Sequence, residues 1–91
     1  MTQIYLTDLG QGIKLTRCVR VRLLGCPGDM VASALDCDGF GATEEQAVEY
    51  LQDDILCLYR HCQELGLDQL GGNLRRWYRK MQRLIVELGG A

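Results

Sequence analysis

The sequence predicts an α+β fold: a small antiparallel β-sheet packed against a long α-helix, in a β-β-β-α core, followed by a C-terminal α-helix. Three observations carry this. Residues 15–24 alternate, with Val19, Val21 and Leu23 on one side and Arg20 and Arg22 on the other. That period of two belongs to a strand with one buried and one solvated face, as in an antiparallel sheet. Residues 43–65 place Val48, Leu51, Ile55, Leu58, Cys62 and Leu65 at 3–4 spacing, the apolar stripe of an amphipathic helix. Thr43 and Gln46 stand where a capping box would start that helix.

Taken in order, residues 4–6 read as a short strand, and Gly10-Gln11-Gly12 as a turn. After the 15–24 strand, Gly25-Cys26-Pro27-Gly28-Asp29 is strong turn chemistry. Residues 30–37 are small and apolar almost throughout and read as a central strand. Gly39-Phe40-Gly41 makes a corner into the helix, with at most a very short third ladder. Glu44 and Glu45 in the first helical turn suit the positive end of the helix dipole. Gly66 is a natural stop. Residues 67–72 form a linker, and a second helix over 73–88 carries Leu74, Trp77, Tyr78, Met81, Leu84, Ile85 and Leu88 on one stripe before Gly89-Gly90 ends it. Residues 1–66 are thus the α+β core, and 67–91 add a linker and a basic amphipathic helix to the same domain.

Ninety-one residues leave no room for a second core. The net charge of −2 gives no bulk attraction to nucleic acid, but the charges are segregated. Residues 29–54 hold eight acidic side chains and no basic one, whereas 73–85 hold five basic and no acidic one. Five cysteines, at 18, 26, 37, 57 and 62, are an odd set without paired spacing, so no disulfide framework is expected. Free thiols point to a reduced, cytoplasmic setting. The start, Met1-Thr2-Gln3-Ile4-Tyr5, has neither the basic head nor the apolar run of a secretory leader. No apolar run is long enough to span a bilayer, so no membrane is expected as partner.

The run Asp36-Cys37-Asp38-Gly39-Phe40-Gly41-Ala42-Thr43-Glu44-Glu45-Gln46-Ala47, between a β-hairpin and a long amphipathic helix, resembles the HicB-like antitoxin domain. Gly41, Thr43, Glu45 and Ala47 occupy that family's helix-start positions, and the resemblance covers roughly residues 15–62. It implies a β-β-β-α core and a non-catalytic protein that neutralises a small RNA-cleaving toxin and often represses its own operon. In that family DNA binding sits in an appended helix-turn-helix or ribbon-helix-helix segment. Here residues 67–91 hold one helix, and the loop between Leu35 and Gly41 is shorter than is usual for the family.

Candidate sites follow from three patterns. Arg75, Arg76, Arg79, Lys80 and Arg83 share one face of the second helix, opposite its apolar stripe. Such a face can track phosphates of RNA or DNA, remain merely solvated, or meet the acidic 29–54 region of another molecule. If Asn73 caps this helix, Arg75 and Arg76 fall in the first turn, where the dipole disfavours cations; alternatively the helix begins near Asp68. Trp77 and Tyr78 can stack on bases, or pack in the core. The heptad-like stripe can also pair with its own copy.

On the first helix, Tyr50, Leu56 and Cys57 lie off the main stripe. A second apolar patch implies burial on both sides, by the terminal helix or by another subunit, and a homodimer is expected. Phe40, Tyr50 and Leu56 are the partner-binding candidates, for a second copy or a small toxin-like protein.

No catalytic set is expected. Asp36 and Asp38 share a face in an extended strand, but nothing in the sequence completes a metal-assisted site. Gly39-Phe40-Gly41 lacks the third glycine of a dinucleotide fingerprint. No cysteine has a locatable histidine base. Asp54, Cys57 and His61 line one helical edge and could ligate a metal only with ligands from elsewhere. No metal, cofactor or enzymatic activity is therefore expected; the sequence favours a non-enzymatic, self-associating protein-interaction module, with a nucleic-acid-binding protein using the basic C-terminal helix as the alternative.

Overall fold

The computed structural model describes residues 4–87. Its elements run β1 (Ile4–Gly10), β2 (Ile13–Cys26), β3 (Asp29–Ala34), β4 (Cys37–Gly41), α1 (Glu44–Leu65), a 3-10 turn (Leu67–Gln69), α2 (Gly72–Leu84) and β5 (Ile85–Glu87). The strands form one antiparallel sheet in the order β1-β2-β3-β4, with β5 pairing the start of β2. Both helices cover one face. The fold is α+β, as the sequence predicts.

Alternation sorts the sheet residues. Leu6, Val21, Met30, Ala32 and Cys37 turn inward and are buried, together with Ala47, Leu51, Ile55 and Cys62 of α1. Leu6 and Leu9 are both buried although three apart, because the β1–β2 register shifts on either side of Asp8. Such bulges re-aim side chains.

Three elements differ from the sequence reading. The expected 30–37 strand is two strands, split by a two-residue turn at Leu35 and Asp36, which both have positive φ (52° and 63°). Nothing in the sequence marks Leu35 for that left-handed conformation, which non-glycine residues seldom adopt. The expected corner at Gly39-Phe40-Gly41 is the second half of a full strand, β4. The second helix ends at Leu84, not at 88: Ile85 is extended, and the β-branched Ile85-Val86 pair continues as β5 against Ile13–Leu15. Leu88 and Gly89-Gly90 lie outside the described residues.

The glycines of β4 have a different role from the one expected. Neither Gly39 nor Gly41 has positive φ. They are flat ground for α1: a Cβ at Gly39 would lie 2.2 Å from the Ala47 carbonyl oxygen, and one at Gly41 2.7 Å from the Ala47 nitrogen. Glycine there lets helix and strand backbones touch. By contrast, the β2–β3 hairpin does need glycine's freedom, since Gly28 after Pro27 has φ 95°.

Thr43 caps α1 as expected: its Oγ1 accepts from the Gln46 amide at 3.2 Å. Gln46 Oε1 reaches back to accept from the Ala42 amide at 3.0 Å, one residue before the position usual in a capping box. Gly66 closes the helix with its amide donating to the Cys62 carbonyl at 2.9 Å.

α2 packs beside α1 and against β2. Trp77, Tyr78, Met81 and Leu84 are all buried, so the apolar stripe is spent within the chain and is not free for dimerisation. Trp77 Nε1 donates to the Leu35 carbonyl at 2.7 Å, tying α2 to the β3–β4 turn. Tyr78 meets Tyr59 of α1 with ring centroids 5.3 Å apart. This contact also explains Leu56. It lies one turn before Tyr59 on the second face of α1 and is buried, 4% exposed. Its place among the partner-binding candidates is therefore corrected: it is a core residue of the monomer.

Candidate functional site

The basic face of α2 borders a cleft of about 730 Å³, walled on its other side by Thr16 and Arg17 of β2. Local structure accounts for this gap. Between the pairs Leu6–Val19 and Asp8–Lys14, four β2 residues (15–18) stand against the single residue Thr7 of β1. The long bulge leaves β2 irregular where α2 passes over it, and Thr16 Oγ1 donates to the Arg83 carbonyl at 3.3 Å. Bulges of this kind recur next to functional sites.

Arg76, Arg79, Lys80 and Arg83 are exposed and line the cleft with Arg17. Positions 76 to 83 span about 10 Å of helix axis. Their stems lie on a helix whose other face is anchored in the core, so the four cations are displayed from a fixed rod. Arg76 and Lys80 also border a second cleft of about 610 Å³, with Asp36, Leu58, Asn73, Leu74 and Trp77. Among the described residues Asp36 is the one acidic side chain bordering either cleft.

Arg75 is different. It lines the same cleft, but its Nε donates to the Leu67 carbonyl at 3.1 Å and its NH2 group to the Leu70 carbonyl at 3.4 Å. The helix begins at Gly72, with Gly71 at the cap and no side-chain cap bond. Arg75 therefore sits just beyond the first turn and folds back to satisfy carbonyls of the preceding 3-10 turn. Its role is to hold the linker, which removes it from the set of free basic residues and explains an arginine so near a helix start.

The partner-binding candidates divide. Phe40 and Tyr50 are 56% and 54% exposed and meet edge to face at 6.1 Å. Leu24, 57% exposed, was missed by the sequence reading. Its signal was present: parity with Arg20 and Arg22 puts this large apolar side chain on the solvated face of β2. Arg17 was missed too. It lies in the bulged 15–18 stretch of β2, where strand alternation does not carry over from Val19 and Val21.

Asp36 and Asp38 are not brought together. Asp36 sits in the β3–β4 turn, whereas Asp38 accepts from Ser33 Oγ on the outer face. Among the described residues no group of three or more His, Cys, Asp or Glu could hold a metal ion, and none of the helices is long and apolar enough to cross a membrane. Cys37, the residue between Asp36 and Asp38, is buried, its thiol pushed up to about 12 by burial, by the Asp54 charge and hydrogen bond, and by Asp36 and Asp38. At neutral pH it is therefore an uncharged packing group.

A pH dependence follows with a definite sign. The neutral thiol is favoured in the fold, so its contribution is fully present below the unfolded value near 9 and is lost as pH rises toward 12. Burial raises Cys62 in the same direction. The urea midpoint of the wild type is expected to fall relative to that of Cys37→Ala between pH 9 and 11 (roughly, within the range set by these thiols). A constant gap between the two proteins would show that the thiol does not titrate in this way.

Compared with protein-family models, curated proteins and solved structures, the chain matches no family, no curated relative and no solved structure.

Proposed function

We propose that this chain is a non-enzymatic binding module whose cleft between α2 and β2 takes the phosphate backbone of a nucleic acid. One observation carries the reading. The apolar stripe of α2 is buried in the same chain, and this turns Arg76, Arg79, Lys80 and Arg83 outward into one cleft together with Arg17, which comes from a strand far away in sequence. A merely solvated helix face would not require the fifth cation on the opposite wall. Phosphate contacts from such a cluster position a strand without reading its bases. Trp77 and Tyr78 are buried, so base stacking on them is not part of the proposal.

The test is fluorescence anisotropy of labelled oligonucleotides, single-stranded RNA and duplex DNA, against the whole chain. At low salt, Arg76→Glu/Arg79→Glu is expected to weaken binding by about a hundredfold or more, with unchanged circular dichroism. Equal binding by wild type and variant, or none by wild type at about 100 μM (weaker than ordinary non-specific binding), would refute the reading.

A second reading is a protein-interaction module, favoured by the exposed aromatic pair Phe40 and Tyr50. The HicB-like resemblance supplies its partner, a small toxin-like protein met in the cytoplasm. Loss of such a partner on Phe40→Ala, with nucleic-acid binding intact, separates the two.

A further inference from the structure

The face of the sheet turned away from the helices carries no described element. Its side chains form rows across the strands. Leu24 of β2, Val31 of β3 and Phe40 of β4 are directly in register, and the next row is Arg22, Ser33 and Asp38. The first row is apolar, with Leu24 and Phe40 more than half exposed. The second is charged and polarised, basic on β2 and acidic on β4, and the Asp38 carboxylate is held in place by the Ser33 hydroxyl.

We propose that this face pairs with the same face of a second copy, about a two-fold axis running along β3. That operation exchanges β2 and β4 and leaves β3 in place. Leu24 then lies on the partner's Phe40, Val31 on the partner's Val31, and Arg22 on the partner's Asp38, with each contact made twice. The apolar row becomes the centre of a face-to-face sheet packing, where sheets sit about 10 Å apart. The charge pattern chooses among arrangements: an axis along the row instead would set Arg22 against the partner's Cys26 and leave Asp38 without its cation. Asp29, beside the β2–β3 hairpin turn, meets its own copy near the axis but at the rim, where water and salt screen the pair. Tyr50, in contact with Phe40, extends the apolar edge. The patch is only three strands wide, so a dissociation constant on the order of micromolar is expected, below the strength of standard-sized interfaces. The surface is separate from the basic cleft, and this inference stands or falls without it.

Sedimentation velocity over about 1 μM to about 1 mM, spanning that expected constant, tests it on the whole chain. The wild type is expected to pass from monomer to dimer. Phe40→Glu should leave it monomeric. Arg22→Asp and Asp38→Arg should each raise the dissociation constant about tenfold or more, and the double variant should recover to within about threefold of wild type. Circular dichroism checks that each variant is folded. A wild type that stays monomeric overturns the proposal. So does a dimer indifferent to Phe40→Glu, or one that the charge-swapped double variant fails to restore.

Discussion

Gly39→Ala is expected to destabilise the protein by about 3 kcal/mol, near the upper end of what added core volume usually costs. The reason is local and severe. The new methyl would meet the Ala47 carbonyl oxygen at 2.2 Å and the Leu51 nitrogen at 2.4 Å. Both are backbone atoms of a capped helix, with no rotamer to yield. Relief requires α1 to lift from β4, its most extensive contact, or the strand to bend away from β3. Ala47, Leu51 and Ile55 are wholly buried beneath, so lifting the helix opens the centre of the core. For a domain of this size the melting temperature should fall by roughly 12–24 °C. Thermal melts followed by circular dichroism check this. A loss below about 1 kcal/mol, the ordinary cost of a point mutation, would mean that helix and strand are not in backbone contact.

Trp77→Ala is expected to cost about 3–5 kcal/mol, the range for removing a buried aromatic side chain. Trp77 is 7% exposed and supplies both bulk and a donor. Its Nε1 satisfies the carbonyl of Leu35, a residue already in a left-handed conformation. Trp77→Phe keeps most of the ring and leaves that carbonyl without its partner, so about 1–3 kcal/mol is expected. Urea denaturation distinguishes the two variants. The functional consequence is specific. α2 forms one wall of the basic cleft, so loosening its anchor should weaken nucleic-acid binding even though Trp77 is buried and not one of the cations. A Trp77→Phe variant as stable as the wild type would show that the indole N–H and the extra ring volume contribute nothing.

The parts of the fold that could be read from the sequence are those where periodicity is local. The alternation of Val19, Arg20, Val21 and Arg22 specified β2, and the stripe from Val48 to Cys62 with its Thr43 cap specified α1. The β3–β4 turn was hidden because Leu35 and Asp36 carry no glycine or asparagine signal, and tertiary contact at Trp77 supports that turn instead. β5 was hidden because Ile85 continues the helical stripe as well as it begins a strand, and only pairing with Ile13–Leu15 decides the matter. At the site, the four outward cations of α2 were legible by helical spacing. Arg17 was not, since it arrives through a bulge in β2. Arg75 looked equivalent to its neighbours until its hydrogen bonds to Leu67 and Leu70 assigned it to the linker.

The measurement that bears most directly on the proposed function is the salt dependence of nucleic-acid affinity between 50 and 200 mM (roughly the range over which phosphate contacts are lost), for wild type and Arg76→Glu/Arg79→Glu. Five cations in contact with phosphates predict a log–log slope of about −3.5 on a single strand or about −4.5 on a duplex. The double variant should give a slope shallower by at least about 1.4 on a single strand. A wild-type slope near zero, or identical slopes for the two proteins, would contradict the assignment of the cleft.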